Sequence, residues 1–126
     1  MMEKERPLVK ALTTFVNENP TSLHVPGHKN GILSNLPSVI KEALKYDVTE
    51  LTGLDDFHHP NEVIKEAETL LAETYGAEAS FFLVNGSTVG NLAMIYATCS
   101  AGDTIIVQRN AHKSIFHAIE LVGANP

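Results

Sequence analysis

FFLVNGSTVGNLAM, residues 81–94, is the stretch on which the reading of the fold turns. A short run of β-formers, Phe81 to Val84, stops at Asn85-Gly86, and a helical pattern opens at Ser87. An apolar run closed by turn residues reads as a strand buried on both faces. The segment is therefore predicted to pass from strand through a glycine turn into a helix whose N-cap is a hydroxyl residue. That junction suits anions. The first turn of a helix offers backbone N–H groups with no intrahelical partner, at the positive end of the dipole. Gly86 allows close backbone approach, and Ser87 and Thr88 add hydroxyl donors, so Gly86, Ser87 and Thr88 are candidate phosphate-binding residues. The ordinary alternative, a glycine turn followed by a serine cap, stays open on pattern alone. The chain contains no GxxxxGK[ST] sequence, and GSTVGN lacks the GxGxxG spacing of a dinucleotide site. A small phosphorylated cofactor fits the loop better than a nucleotide.

Outward from this stretch the texture is regular. Upstream, NEVIKEAETLLAETYG (61–76) puts Val63, Ile64, Ala67, Leu70, Leu71 and Thr74 at helical spacing, with Gly76 able to cap the end. Downstream, GDTIIVQRN (102–110) reads as a turn and a second buried strand, and AHKSIFHAIELVG (111–123) as a helix with Gly123 past its end. The order helix, strand, helix, strand, helix predicts an α/β fold, a mainly parallel sheet flanked by helices. Residues 79–85 and 103–108 are the expected strands, with Gly86 and Asn110 at one edge of the sheet. Ligands of open α/β sheets bind beyond the carboxyl ends of the strands. His112, just past the second strand, is thus placed to stack on a flat ring whose phosphate lies in the first loop. The alternative is a surface histidine near a helix start. Lys113, which begins the helix after His112, is read as a solvent-facing first-turn residue.

Residues 1–58 read as an N-terminal arm, helical and loop-rich, and residues 59–126 as the beginning of a larger domain. Within the arm, Leu8, Leu12, Phe15 and Val16 share a face of a helix over 7–18, with Pro7 in its first turn. A second helix is expected from Leu36 to Tyr46, with Val39, Ile40, Ala43 and Leu44 facing inward. Between and after them lie two polar loops. Of the carboxylates Asp47, Glu50, Asp55 and Asp56, only Glu50 or Asp55 is favoured to hold a cationic group, the others being structural or solvated. His24, His28, His58 and His59 match no metal-binding spacing, so no metal is predicted.

Charge and composition narrow the function classes. The net charge of −6 and the scattered Lys and Arg argue against nucleic acid. No apolar run approaches the roughly 20 residues that span a bilayer. The opening MMEKERPLVK lacks the apolar stretch of a signal peptide. Cys99 is the single cysteine, which excludes an internal disulfide and fits a reducing, cytoplasmic setting. The sequence stops at LVGANP just after a helix end, and the chain is expected to be a truncated part of a longer protein.

Four ordered blocks carry a resemblance. HVPGHKNG (24–31), DVTELTGLDDFHHP (47–60), YGAEASFFLVNGSTVGNLAMI (75–95) and GDTIIVQRNAHKS (102–114) resemble consecutive blocks of the Orn/Lys/Arg decarboxylases, most of all their shorter bacterial members. The resemblance implies the aspartate-aminotransferase-like fold of pyridoxal 5′-phosphate (PLP) enzymes, fold type I, of which this chain would be the N-terminal part of the major domain. It implies that Gly86, Ser87 and Thr88 bind the cofactor phosphate and that His112 stacks on the pyridine ring. The family's Schiff-base lysine and the aspartate that pairs with the pyridine nitrogen belong to later blocks, so no catalytic residue is assigned here and the chain alone is expected to be inactive. The implied reaction is PLP-dependent decarboxylation of ornithine, lysine or arginine in polyamine biosynthesis, by a homodimer or higher homo-oligomer. Two alternatives remain: another fold type I aminotransferase or lyase, and a non-catalytic gene remnant. Only the PGHK and TELTGLDD blocks favour decarboxylation over the first.

Overall fold

Helical periodicity in this sequence is realised almost where it is written. A computed structural model describes residues 6–126 and contains five helices: α1 Pro7–Glu18, α2 Ser38–Leu44, α3 Val63–Tyr75, α4 Ser87–Thr98 and α5 Lys113–Val122. The first five residues of the expected arm lie outside the described residues. Pro7 opens α1, where its missing N–H costs nothing. Gly76 and Gly123 end α3 and α5 in the left-handed conformation, with φ of 65° and 78°, the usual place for a C-terminal glycine. The chain divides into two compact units, Met1–Ser80 and Phe81–Pro126.

In the first unit α1 packs on α3. The apolar stripe of α1 becomes half-buried, while Ala72 and Glu68 of α3 are buried, as are Leu54 and Asp55. Gly31 is also buried. A Cβ there would lie 2.8 Å from the Lys41 carbonyl oxygen, so only glycine lets this loop meet α2 so closely. α2 departs from expectation: Val39 and Ile40 face outward, 71% and 44% exposed, and the helix buries none of its residues. With seven residues it is too short to commit an apolar stripe to a core.

In the second unit α4 packs on α5. Ile95, Ala118 and Ile119 form the buried centre, and Leu92, Cys99, Ile105, Val107, Ile115, Val122 and Ala124 pack around it.

The expected sheet is absent, and the α/β assignment is corrected accordingly. Among the described residues there is no strand, only one parallel bridge between Thr104 and Asn125. It is held by Asn125 N–H to the Asp103 carbonyl at 2.7 Å and Ile105 N–H to the Asn125 carbonyl at 2.9 Å. Neither 79–85 nor 103–108 forms a strand. A β-run supplies side chains, but a ladder requires a second backbone alongside at about 4.8 Å with matching donors and acceptors. The two runs do not provide this for each other. Burial also differs from the two-faced pattern: Phe81 is 70% exposed, and Ile106 is 98% exposed while its neighbours Ile105 and Val107 turn inward. Helices expected to cover a sheet pack on one another instead.

Candidate functional site

The start of α4 is set by two residues on the positive-φ side, Asn85 at 63° and Gly86 at 72°. Gly86 combines that φ with ψ of −174°, a region in which only glycine is at ease. Nothing lies within 4 Å of where its Cβ would be, so glycine is required here for its backbone and not for space. The expected hydroxyl cap is displaced by one residue: Gly86 is the N-cap, Ser87 is already helical, and no side chain caps the helix. First-turn N–H groups are therefore not taken up by a capping side chain, and the exposed Ser87 and Thr88 stand beside them. No hydrogen bond among the described residues engages either hydroxyl. A set of backbone and hydroxyl donors at a positive helix end suits a dianionic phosphate.

The start of α5 is built differently. His112 is its N-cap, in extended conformation, and the Ser114 N–H donates to its Nδ1 at 3.3 Å. Ser114 Oγ lies 2.8 Å from the same nitrogen, and Asn91 Nδ2 donates to that Oγ at 2.8 Å. Ser114 is 1% exposed, while His112 and Lys113 are exposed. Asn91 sits four residues after Ser87 and three after Thr88, on the same helical face. The two loops were expected to meet at a sheet edge, and no sheet among the described residues brings them there. The helix starts are linked instead by α4 packing on α5 and by the run Asn91–Ser114–His112. Asn91 and Ser114 were not singled out from the sequence. The available signal was a pair of small polar residues interrupting the apolar periodicity of α4 and α5.

The histidines and carboxylates of the first unit are largely committed. His28 Nδ1 accepts from the Gly31 N–H at 3.2 Å, which leaves Nε2 to donate to Asp47 Oδ2 at 3.1 Å. Both ring nitrogens are thereby used, and the pair acts as a latch between the two loops. Asp55 is buried, at a φ of 69°. Its carboxylate accepts from the N–H groups of Asp56, Asn61, Glu62, Ile64 and Lys65 at 2.8–3.4 Å, anchoring the entry to α3. Burial pushes this carboxyl up, but the N–H groups of Asn61, Asp56, Glu62 and Ile64 outweigh it and lower it from 3.8 to about 2, because they bond only to the charged form. Asp55 therefore serves the backbone rather than a cationic ligand. Asp56 accepts from the N–H groups of His58 and His59. Glu50 lines an apolar groove of about 380 Å³ between α1 and the 46–57 loop. No group of His, Cys, Asp and Glu among the described residues is arranged to hold a metal ion. No helix among them is long and apolar enough to cross a membrane.

Comparison with known proteins adds a second line of observation. The model of the Orn/Lys/Arg decarboxylase major domain matches residues 6–126. The Bacillus subtilis protein YaaO is 57% identical over 122 residues, covering 95% of this chain and 25% of its own. An arginine decarboxylase of Bacillus cereus is 39% identical over 131 residues, covering 100% of this chain and 28% of that protein. The chain thus spans about a quarter of the length of these relatives. The structure of the Escherichia coli constitutive lysine decarboxylase superposes with a TM-score of 0.82 at 30% identity, over 97% of this chain and 18% of that one.

Proposed function

The chain belongs to the Orn/Lys/Arg decarboxylase family, and from that premise we propose that it forms the cofactor-phosphate region of a PLP-dependent decarboxylase of basic amino acids. The observation that carries this reading is the start of α4. Its Gly86 cap is confined to glycine backbone angles, no side chain caps it, and the Ser87 and Thr88 hydroxyls stand exposed at the positive end. Gly86, Ser87 and Thr88 would hold the cofactor phosphate, and His112 would orient its ring. When bound, PLP supplies the electron-accepting ring that makes loss of CO₂ feasible. The residues present supply anchoring and orientation. The resemblance assigns the Schiff-base lysine and the ring-nitrogen aspartate to blocks other than the four matched here, so the chain by itself is not expected to turn over substrate. Glu50, whose carboxylate has no backbone or histidine partner among the described residues, is the candidate contact for a cationic substrate tail.

Arginine is the first substrate to test, because arginine decarboxylases match at 38–40% identity and lysine decarboxylases at 31%. The product would be a polyamine or its precursor, made in the cytoplasm by a homodimer or larger homo-oligomer. The complete protein, supplied with PLP, is expected to release CO₂ from arginine, lysine or ornithine, and release from none of them overturns the reading. Replacing both Ser87 and Thr88 by Ala removes two donors to a charged group, each worth about 1.5–3 kcal/mol. PLP affinity, followed by fluorescence titration, is expected to fall by roughly two to four powers of ten at about 1.4 kcal/mol per decade. His112→Ala is expected to keep most of the affinity and lose turnover, since ring orientation rather than charge is removed.

A further inference from the structure

Asn91, Ser114 and His112 form a run of hydrogen bonds whose polarity can be worked out from its fixed members. A backbone N–H can only donate, so the bond from Ser114 N–H to His112 Nδ1 makes Nδ1 an acceptor without a proton. A neutral imidazole with Nδ1 bare carries its proton on Nε2. Because Nδ1 has no hydrogen to give, the 2.8 Å contact from Ser114 Oγ must be donated by the hydroxyl. That hydroxyl proton is directed to Nδ1, and its oxygen accepts from the Asn91 amide, which donates through Nδ2 at 2.8 Å. Every donor in the run points toward the ring. Ser114 is 1% exposed, so water does not compete for its hydroxyl, and aligned donors in such a setting reinforce one another.

We propose that Asn91 and Ser114 are positioning residues that hold the His112 ring in one orientation and in the Nε2–H form. This rests on the reading of His112 as the residue that lies against the cofactor ring. Asn91 does more than fill space: its position on α4, on the face shared with Ser87 and Thr88, ties the orientation of the ring to the helix that anchors the phosphate. A shift of α4 is thereby passed to His112 through two hydrogen bonds. Neither residue touches the cofactor, and their effect passes through His112.

The test reads the imidazole directly and needs no cofactor. In the ¹⁵N-labelled chain at alkaline pH, long-range ¹H–¹⁵N correlation is expected to show His112 with Nδ1 unprotonated and Nε2 protonated. Asn91→Asp keeps the shape but replaces the donor by an acceptor. Ser114 then donates to the carboxylate, Nδ1 keeps only the longer bond from the Ser114 N–H, and its resonance is expected to move away from the protonated position while the Nε2–H form persists. Ser114→Ala retains the backbone N–H, so the Nε2–H form should persist while the ring signals broaden or gain a second orientation. A protonated Nδ1 in the unsubstituted chain overturns the proposal, as does an unchanged Nδ1 resonance in Asn91→Asp with helix content intact. PLP titration separates this from the functional reading. Loss of binding in the Ser87/Thr88 variant bears on the phosphate site alone, and the tautomer result stands or falls without it.

Discussion

The two compact units are held together by opposite means. In Met1–Ser80 the buried set includes charged side chains, Asp55 and Glu68, and the entry to α3 depends on one carboxylate gathering backbone N–H groups from Asp56 to Lys65. In Phe81–Pro126 the centre is apolar, Ile95 with Ala118 and Ile119, and the polar run sits at the helix starts. A loop-rich segment has few apolar side chains to bury, so it recruits its own backbone donors around an anion. Two facing helices can bury a stripe, which leaves their polar residues free for chemistry. Asp55 and Asp56, whose carboxylates are taken up by backbone N–H groups, are therefore poor evidence for ligand binding, whereas exposed hydroxyls at a helix start with no side-chain cap are better evidence.

The largest expected effect tests the apolar side of this contrast. Ile95 is 2% exposed at the α4–α5 contact. Ile95→Ala is expected to cost about 2–5 kcal/mol, the usual range for emptying such a site. Hydrogen exchange should show protection lost in α4 and α5 and retained in α3. Equal loss in both units would break the comparison.

Acid should act on the other unit. The Asp55 carboxyl is lowered in the folded state, so its contribution is fully present above the unfolded value of 3.8 and is lost as pH falls toward about 2, since protonation then favours the unfolded chain. Exchange protection around 55–65 is expected to fail across that window while α4 and α5 change less. Asp55→Asn should remove this pH dependence and lower protection at the start of α3 at every pH. A variant that keeps the same acid profile would show that other groups control it.

The smallest effect concerns a feature the units share. Gly76→Ala and Gly123→Ala each place a Cβ on a left-handed residue, and neither meets a contact under 3.5 Å. Each is expected to cost about 1 kcal/mol by chemical denaturation, from backbone strain alone. Unequal costs would point to a difference in packing at the two helix ends.

Local signals were legible where they are local in origin. The apolar period located α1, α3, α4 and α5 to within two residues, since i to i+4 hydrogen bonds and side-chain stripes are written within a short run of consecutive positions. The turn at Gly86, the stops at Gly76 and Gly123, and the four blocks shared with the decarboxylases were likewise readable from short stretches. Less legible was the cap itself: Ser87 and Gly86 are both acceptable N-caps, and one residue of register separates them.

What the sequence determined by itself was the helices, the glycine turn before α4 and the family. Tertiary structure alone decided three further things. It decided that FFLV and IIV would not become strands, because a strand exists only through a partner backbone that no residue within the run can specify. It decided that Asp55 serves the backbone, since its donors lie up to ten residues away and converge only when the loop closes. And it decided that Asn91 meets Ser114 across 23 residues, which follows from two helices packing and not from any spacing along the chain.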